Sequence, residues 1–176
     1  MMEQGGRPCH IDLPYPQVTP GRDPLAVCLL MEDYSGAASE LSAVHQYIYA
    51  AAQLKGKCDP VSQLLRQVAI VEMHHLELLA QAVLAKGGDP RYVMRGGRKP
   101  ERFWNAGVIA YGKGAGNILL ESIQGEQGAI AQYQQHIQQL GDESAKALLR
   151  RIVMDEECHL QAFTDQFRQW AEKEGR

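Results

Sequence analysis

The chain has 176 residues, enough for one domain with a sizeable core. It is 45% hydrophobic and 22% charged, an ordinary globular composition, and its net charge of −3 lacks the basic footprint of a nucleic-acid binder. No run approaches 18 uncharged apolar residues, so no membrane span is expected, and the start, Met1 to Pro8, lacks the apolar stretch of a secretory signal. The expected compartment is therefore the cytoplasm. A reducing cytosol keeps Cys9, Cys28, Cys58 and Cys158 as free thiols. With no Cys-x-x-Cys pair among them, the chain carries neither a zinc ribbon nor a rubredoxin-type iron centre.

Residues 1–22 hold Pro8, Pro14, Pro16 and Pro20 and read as an extended arm; residues 23–176 read as one helical domain. Asp23-Pro24 starts a helix, with Asp as cap and Pro in the first turn. Helical composition continues to Lys55, interrupted at Ser35-Gly36, and stops at Gly56. The start signal returns at Asp59-Pro60 and opens a second helix over Val61 to Lys86, ended by Gly87-Gly88. Residues 87–116 hold eight of the 17 glycines and read as a long crossover, with one short helix around Arg102 to Tyr111. A third helix spans Asn117 to Leu140, and Asp142 caps a fourth over Glu143 to Lys173. Strand signals are weak. The expected fold is all-α: two helical hairpins joined by a crossover into a four-helix bundle.

The chain repeats itself. Glu40-Leu41-Ser42-Ala43-Val44-His45-Gln46-Tyr47 matches Glu126-Gln127-Gly128-Ala129-Ile130-Ala131-Gln132-Tyr133, sharing Glu-x-x-Ala-(Val/Ile)-x-Gln-Tyr. Leu64-Leu65-Arg66 leads to Glu72-Met73-His74-His75-Leu76, as Leu148-Leu149-Arg150 leads to Glu156-Glu157-Cys158-His159-Leu160. The offsets, 86 and 84 residues, are nearly equal, which implies a duplicated hairpin with a pseudo-twofold axis.

Each half thus supplies one lone Glu and one Glu-x-x-His pair. Residues three apart lie on successive turns of one helix face, so both side chains of a pair can reach one ion. Glu40 is surrounded by Ala37, Ala38, Leu41, Ala43, Val44 and Ile48, and Glu72 follows Val68, Ala69, Ile70 and Val71. Four carboxylates turned into an apolar interior repel one another and lose hydration. Two divalent cations offset both costs, and neutral His75 and His159 complete the donor set. Oxygen and imidazole donors suit Mn or Fe; Zn would fit as a substitute but brings no redox chemistry.

At these residues the sequence resembles the ferritin-like superfamily over roughly 24–173, within it the rubrerythrin and manganese-catalase branch. The arm Tyr15-Pro16…Asp23-Pro24, leading into Tyr34-Ser35-Gly36…Glu40-Leu41, is similar to the entry of manganese catalases and related spore-coat proteins. The resemblance implies a ferritin-like bundle with Glu40, Glu72, His75, Glu126, Glu156 and His159 as ligands of two Fe or Mn ions. It implies that Tyr47 and Tyr133 hydrogen-bond ligands across the bundle, the alternative being core aromatics with satisfied hydroxyls. Family members carry an Asp before each ligand Glu, bonded to the His of the opposite pair. Asp155 fits that role; the matching position is Val71, a departure that makes the two metals inequivalent.

Other residues read more plainly. His74 points about 100° away from His75 and is a surface or packing residue. His45 and His136 fall outside the repeat and read as polar-face residues, and Glu77 and Glu157 as surface residues. Met73 follows Glu72 as the haem-ligating Met does in bacterioferritins, but it reads as packing, so haem is not expected. Cys158 reads as a buried thiol. Tyr111 to Gly116 lacks the Gly-Lys-Ser/Thr of a phosphate loop and reads as a flexible connection. Arg91, Arg95, Arg98, Lys99 and Arg102 form a solvated face or subunit contact, and Arg66 and Arg150 play structural roles.

The expected function is peroxide or dioxygen chemistry at two Mn or Fe ions, foremost peroxide removal, catalase-like or peroxidase-like. A peroxidase would need an external electron donor. The alternatives are ferroxidase and iron storage, or a structural or coat protein with a non-redox metal site. A homo-oligomer, at least a dimer, is expected, with neither nucleic acid nor membrane as partner.

Overall fold

The computed structural model describes residues 10–96 and 99–175. Cys9, Pro8 with the rest of the first nine residues, Arg98, and the side chains of Arg95 and Lys99 lie outside the described part. Among the described residues five α-helices carry the fold: α1 (Pro24–Ser35), α2 (Glu40–Leu54), α3 (Asp59–Ala85), α4 (Ala115–Gln139) and α5 (Glu143–Glu174). α2 packs chiefly on α3 and α4 on α5, giving two helical hairpins in a ferritin-like four-helix bundle.

The chain breaks at Ser35, splitting the first helical stretch in two. Gly36 N–H closes α1 on Glu32 O at 2.9 Å. Ser39 then caps α2, its hydroxyl oxygen accepting from Ser42 N–H at 3.3 Å. The break puts Glu40 in the first turn of α2, where the helix dipole favours a carboxylate. Asp23 and Asp142 cap α1 and α5 as the sequence predicts. Asp59 does not: it is the first residue of α3, and its carboxylate turns back to accept from Gly56 N–H at 2.7 Å. Gly56 and Gly87 follow α2 and α3 with φ of +74° and +80°, a region that penalises a Cβ.

The crossover corrects one expectation. No α-helix forms around 102–111, and the short helix expected there shrinks to one 3₁₀ turn. Instead β1 (Val93–Gly96) pairs antiparallel with β2 (Lys99–Phe103), and a single 3₁₀ turn follows at Ala106–Val108. Two distant anchors decide this. Val93 is buried against α1, its carbonyl accepting from the Ser35 hydroxyl at 2.9 Å. Trp104 donates its indole N–H to Ser42 Oγ at 2.9 Å and lies against the His45 ring. Arg91, in the same segment, pairs with Asp89 at 2.9 Å and Glu101 at 3.5 Å.

Two apolar layers fill the bundle. One holds Leu30, Met31, Leu79, Val83, Leu149 and Ile152; the other holds Leu54, Val61, Leu65, Val68, Leu119 and Phe163. In chain order, α3, α4 and α5 each pass from one layer to the other, and Glu72, Glu126 and Glu156 fall at the change. α3 is long and apolar enough to cross a bilayer by length and composition alone, yet it turns Glu72 and His75 into the bundle.

The described part of the arm packs on its own bundle. Thr19 N–H donates to Ser144 Oγ at 2.9 Å, and Gly21 N–H to Ala85 O at 2.9 Å. Lys86, 2% exposed, donates to Thr19 O at 2.7 Å and pairs with Asp142. Hydrogen bonding from Lys86 lowers the Asp142 carboxyl from 3.8 to about 2. A depressed carboxyl stabilises the fold above its unfolded value, so this contribution is present above pH 3.8 and is lost as pH falls through about 2. Asp142→Ala removes the α5 cap and strands a buried ammonium. We expect about 3 kcal/mol of destabilisation at neutral pH, read by thermal melts, with Lys86→Met costing less.

Candidate metal centre

The structure brings Glu40, Glu72, His75, Glu126, Glu156 and His159 together between the two apolar layers, none more than 4% exposed. The ligand-type atoms of Glu40, Glu72, His75 and Glu156 all lie within 4.8 Å of one another, as do those of Glu72, Glu126, Glu156 and His159. Glu72 and Glu156 belong to both groups. His75 Nδ1 lies 3.0 Å from Glu72 Oε2 and 3.0 Å from Glu156 Oε1, with Glu40 Oε2 at 3.8 Å. His159 Nδ1 lies 3.1 Å from Glu72 Oε1 and 3.4 Å from Glu156 Oε2, with Glu126 Oε2 at 3.9 Å. The two halves have nearly the same distances, as a repeat related by a pseudo-twofold rotation implies.

The electrostatics divide these groups. Burial and the charges of Glu72 and Glu156 push the Glu40 carboxyl well above the usual range, and the same three causes raise Glu126. Burial also pushes Glu72 up, as does the Glu156 charge, but the facing imidazoles offset both and hold Glu72 low. Glu156 is likewise pushed up by burial and held low by His159 and His75. Burial disfavours the charged imidazoles, yet the surrounding carboxylates raise both His75 and His159.

Hydrogen bonds within the set leave donor atoms over. Glu72 Oε1, Glu156 Oε1 and His159 Nδ1 are buried without a hydrogen-bond partner, although Glu72 Oε1 stands 3.1 Å from His159 Nδ1 and Glu156 Oε1 3.0 Å from His75 Nδ1. Four carboxylates balance two divalent cations, and oxygen and nitrogen lone pairs converging on one space suit coordination. The donor set therefore fits two Mn or Fe ions.

Tyrosines brace the carboxylates crosswise. Tyr47, on α2, donates to Glu126 Oε1 on α4, while Tyr133, on α4, donates to Glu40 Oε1 on α2. Burial and the nearby carboxylates push both phenols up, so they remain donors at neutral pH. A cavity of about 180 Å³ leads to the cluster between the start of α2 and the middle of α4. Asp33, Gln132 and Tyr133 line it, with Glu40, Glu126 and Glu156 also on its wall.

The outer contacts are asymmetric. Asp155 Oδ2 lies 3.2 Å from His75 Nε2. The repeat puts Val71 where His159 would need the same partner. Asp155 is also held by two residues the sequence reading passed over. Tyr15 donates to Asp155 Oδ2 at 2.6 Å, and Arg151 Nη1 lies 2.8 Å from that oxygen. Among the described residues the buried arginine is Arg151, four residues before Asp155, a spacing that signals an ion pair on a helix. The repeat-matched Arg150 and Arg66 are exposed.

His136 is a second correction. It is 3% exposed, not on a polar face, with Nδ1 2.8 Å from Asp33 Oδ1 and Nε2 3.6 Å from Glu32 Oε2. Both carboxylates come from α1, outside the four-helix plan. His45 is exposed, as are His74, Met73, Glu77 and Glu157. His74 sits edge-on to Tyr15 with ring centres 5.0 Å apart. Cys158 is half-buried, and burial raises its thiol, which disfavours thiolate chemistry. Ile48 and Ile70 face outward at 51% and 62% exposure, so the apolar setting of the carboxylates comes from other residues.

A family model described as Rubrerythrin matches residues 35–175. Among solved structures, the manganese catalase KatB from Anabaena PCC7120 matches with a TM-score of 0.80 and 25% identity, over 92% of this chain and 80% of that one. The Desulfovibrio desulfuricans bacterioferritin, described with a diiron site, matches with a TM-score of 0.70 and 22% identity over 84% and 80%. The Rhodobacter capsulatus bacterioferritin matches with a TM-score of 0.72 and 20% identity over 85% and 88%. No curated protein matches the chain.

Proposed function

The chain belongs to the rubrerythrin family, and from that premise we propose that it is a dinuclear Mn or Fe oxidoreductase that removes hydrogen peroxide by dismutation. The observation that carries this reading is the pair of buried carboxylate–imidazole clusters sharing Glu72 and Glu156 at the end of a cavity of about 180 Å³. That space holds a few water-sized molecules, since one water occupies roughly 30 Å³ of liquid. The likeness to a manganese catalase favours dismutation over a reaction that draws electrons from a donor.

In the balanced reaction, one peroxide gives up two electrons and two protons and leaves as dioxygen. A second takes them and leaves as two waters. Two redox-active ions, which Glu40, Glu72, His75, Glu126, Glu156 and His159 would hold, would supply the electron exchange. The protein supplies the rest. Glu72 and Glu156 hold both halves in one frame. Tyr47 and Tyr133 fix the outer oxygens of Glu126 and Glu40 from opposite helices, so the carboxylates keep one orientation as charge changes. The surrounding apolar layers exclude bulk water and strengthen every one of these contacts.

The test is oxygen evolution from peroxide by protein loaded separately with Mn and with Fe, without reductant. One dioxygen per two peroxides is the expected result. Peroxide loss only with an added reductant would mean a peroxidase. A large hollow assembly taking up many Fe per chain would mean storage.

A further inference from the structure

We propose that the N-terminal arm, through Tyr15, is a positioning element that makes the His75 half of the centre the tighter metal-binding half, so that the two ions load in order. This rests on the dinuclear reading above and adds to it an inequality between the two ions with a physical origin.

The two imidazoles are alike on the side facing the carboxylates and unlike behind. Behind His75, Nε2 lies 3.2 Å from Asp155 Oδ2. That oxygen also accepts from the Tyr15 hydroxyl at 2.6 Å and forms an ion pair with Arg151 Nη1 at 2.8 Å. The other oxygen, Oδ1, accepts from Ile11 N–H at 2.8 Å. Arg151 is tied to the arm in turn: Nε donates to Leu13 O at 3.1 Å, Nη2 donates to Ile11 O, and its Cζ stands 4.3 Å over the Tyr15 ring. The Tyr15 hydroxyl oxygen is 3.4 Å from His75 Nε2. The arm therefore holds Asp155 directly through Tyr15 and Ile11, and indirectly through Arg151 of α5. Behind His159, Nε2 is buried and has no hydrogen-bond partner among the described residues.

A carboxylate on the far nitrogen fixes the tautomer that leaves Nδ1 free for a metal. It also orients the ring and makes the imidazole a stronger donor. Loss of such a partner costs ~10–100-fold in metal affinity. His75 has this support and His159 lacks it. Tyr15 and Arg151 touch no reacting atom; they act through Asp155.

The experiment is a titration of metal-free protein with Mn²⁺ against a competing chelator. We expect two equivalents, the first ~10–100-fold tighter than the second. Tyr15→Phe should weaken the first step several-fold and leave the second unchanged. Asp155→Asn should bring the two steps together, and Val71→Asp should tighten the second. Glu40→Ala should remove the tight step and Glu126→Ala the weak one, which assigns each step to its half. Two equal steps in the unmodified protein would overturn the inference while leaving the dinuclear reading intact. Equal weakening of both steps by Tyr15→Phe would overturn it too, because that is what a merely structural arm would do. Should Asp155→Asn fail to fold, the Tyr15→Phe and Val71→Asp pair decides alone. Binding of no metal would remove the dinuclear reading and the inference together.

Discussion

Glu72→Ala should reduce bound metal from two ions per chain to at most one and lower peroxide turnover by more than ~100-fold. Glu72 faces both imidazoles, at 3.0 and 3.1 Å, so its loss opens both halves at once. Losing an outer partner of a ligand costs ~10–100-fold, and losing a carboxylate that faces both imidazoles should exceed that range. Without metal, the variant also leaves two buried imidazoles with a reduced set of counter-charges, a cost of about 3–5 kcal/mol. Glu72→Gln keeps the shape and should lose the metal with less destabilisation. Elemental analysis, peroxide turnover and a thermal melt of both variants check the prediction. Full metal content and near-normal turnover in Glu72→Ala would show that the carboxylate is not a shared ligand.

The second large effect is proton release on loading. Burial and neighbouring carboxylates raise Glu40 and Glu126, and the surrounding carboxylates raise His75 and His159, so in the metal-free protein these four groups favour their protonated forms. Glu72 and Glu156 are held low by the facing imidazoles. Metal must displace the protons these donors hold, so loading releases protons and affinity for the pair of ions climbs with pH, by roughly one power of ten per unit for each proton released. Calorimetry in two buffers of different ionisation heat measures the count; release of fewer than about one proton per pair would contradict this charge distribution.

The same groups set the stability of the metal-free state. Groups whose folded values are raised stabilise the fold below their unfolded values and lose that contribution as pH rises through the folded ones. Metal-free protein should therefore weaken as pH rises above 6.5, the ordinary histidine value, while loaded protein should not.

The parts of the centre legible in the sequence are those set by local geometry. Glu72 with His75, and Glu156 with His159, are fixed by helical spacing, and the repeat brings Glu40 and Glu126 into the same count. The helix ends at Ser35, Gly56 and Gly87 were readable from capping chemistry. The missed features depend on contacts between distant segments. Tyr15 reaches Asp155 across 140 residues, and Ile11 reaches it across 144; only the prolines hinted that this stretch is extended. His136 is buried because α1 lies against α4 and brings Asp33 to it. The crossover became a hairpin because Val93 and Trp104 find partners on α1 and α2, and short segments take the structure their anchors impose. Arg151 alone had an available signal in its spacing from Asp155.

Metal analysis of the protein purified from its own host tests the central claim most directly, because a foreign host loads whichever metal it has in excess. The account predicts about two Mn or two Fe per chain, reduced to one or none by Glu72→Ala. Protein that carries only zinc, or that holds no metal and takes up none after dialysis against Mn²⁺ and Fe²⁺, would contradict it.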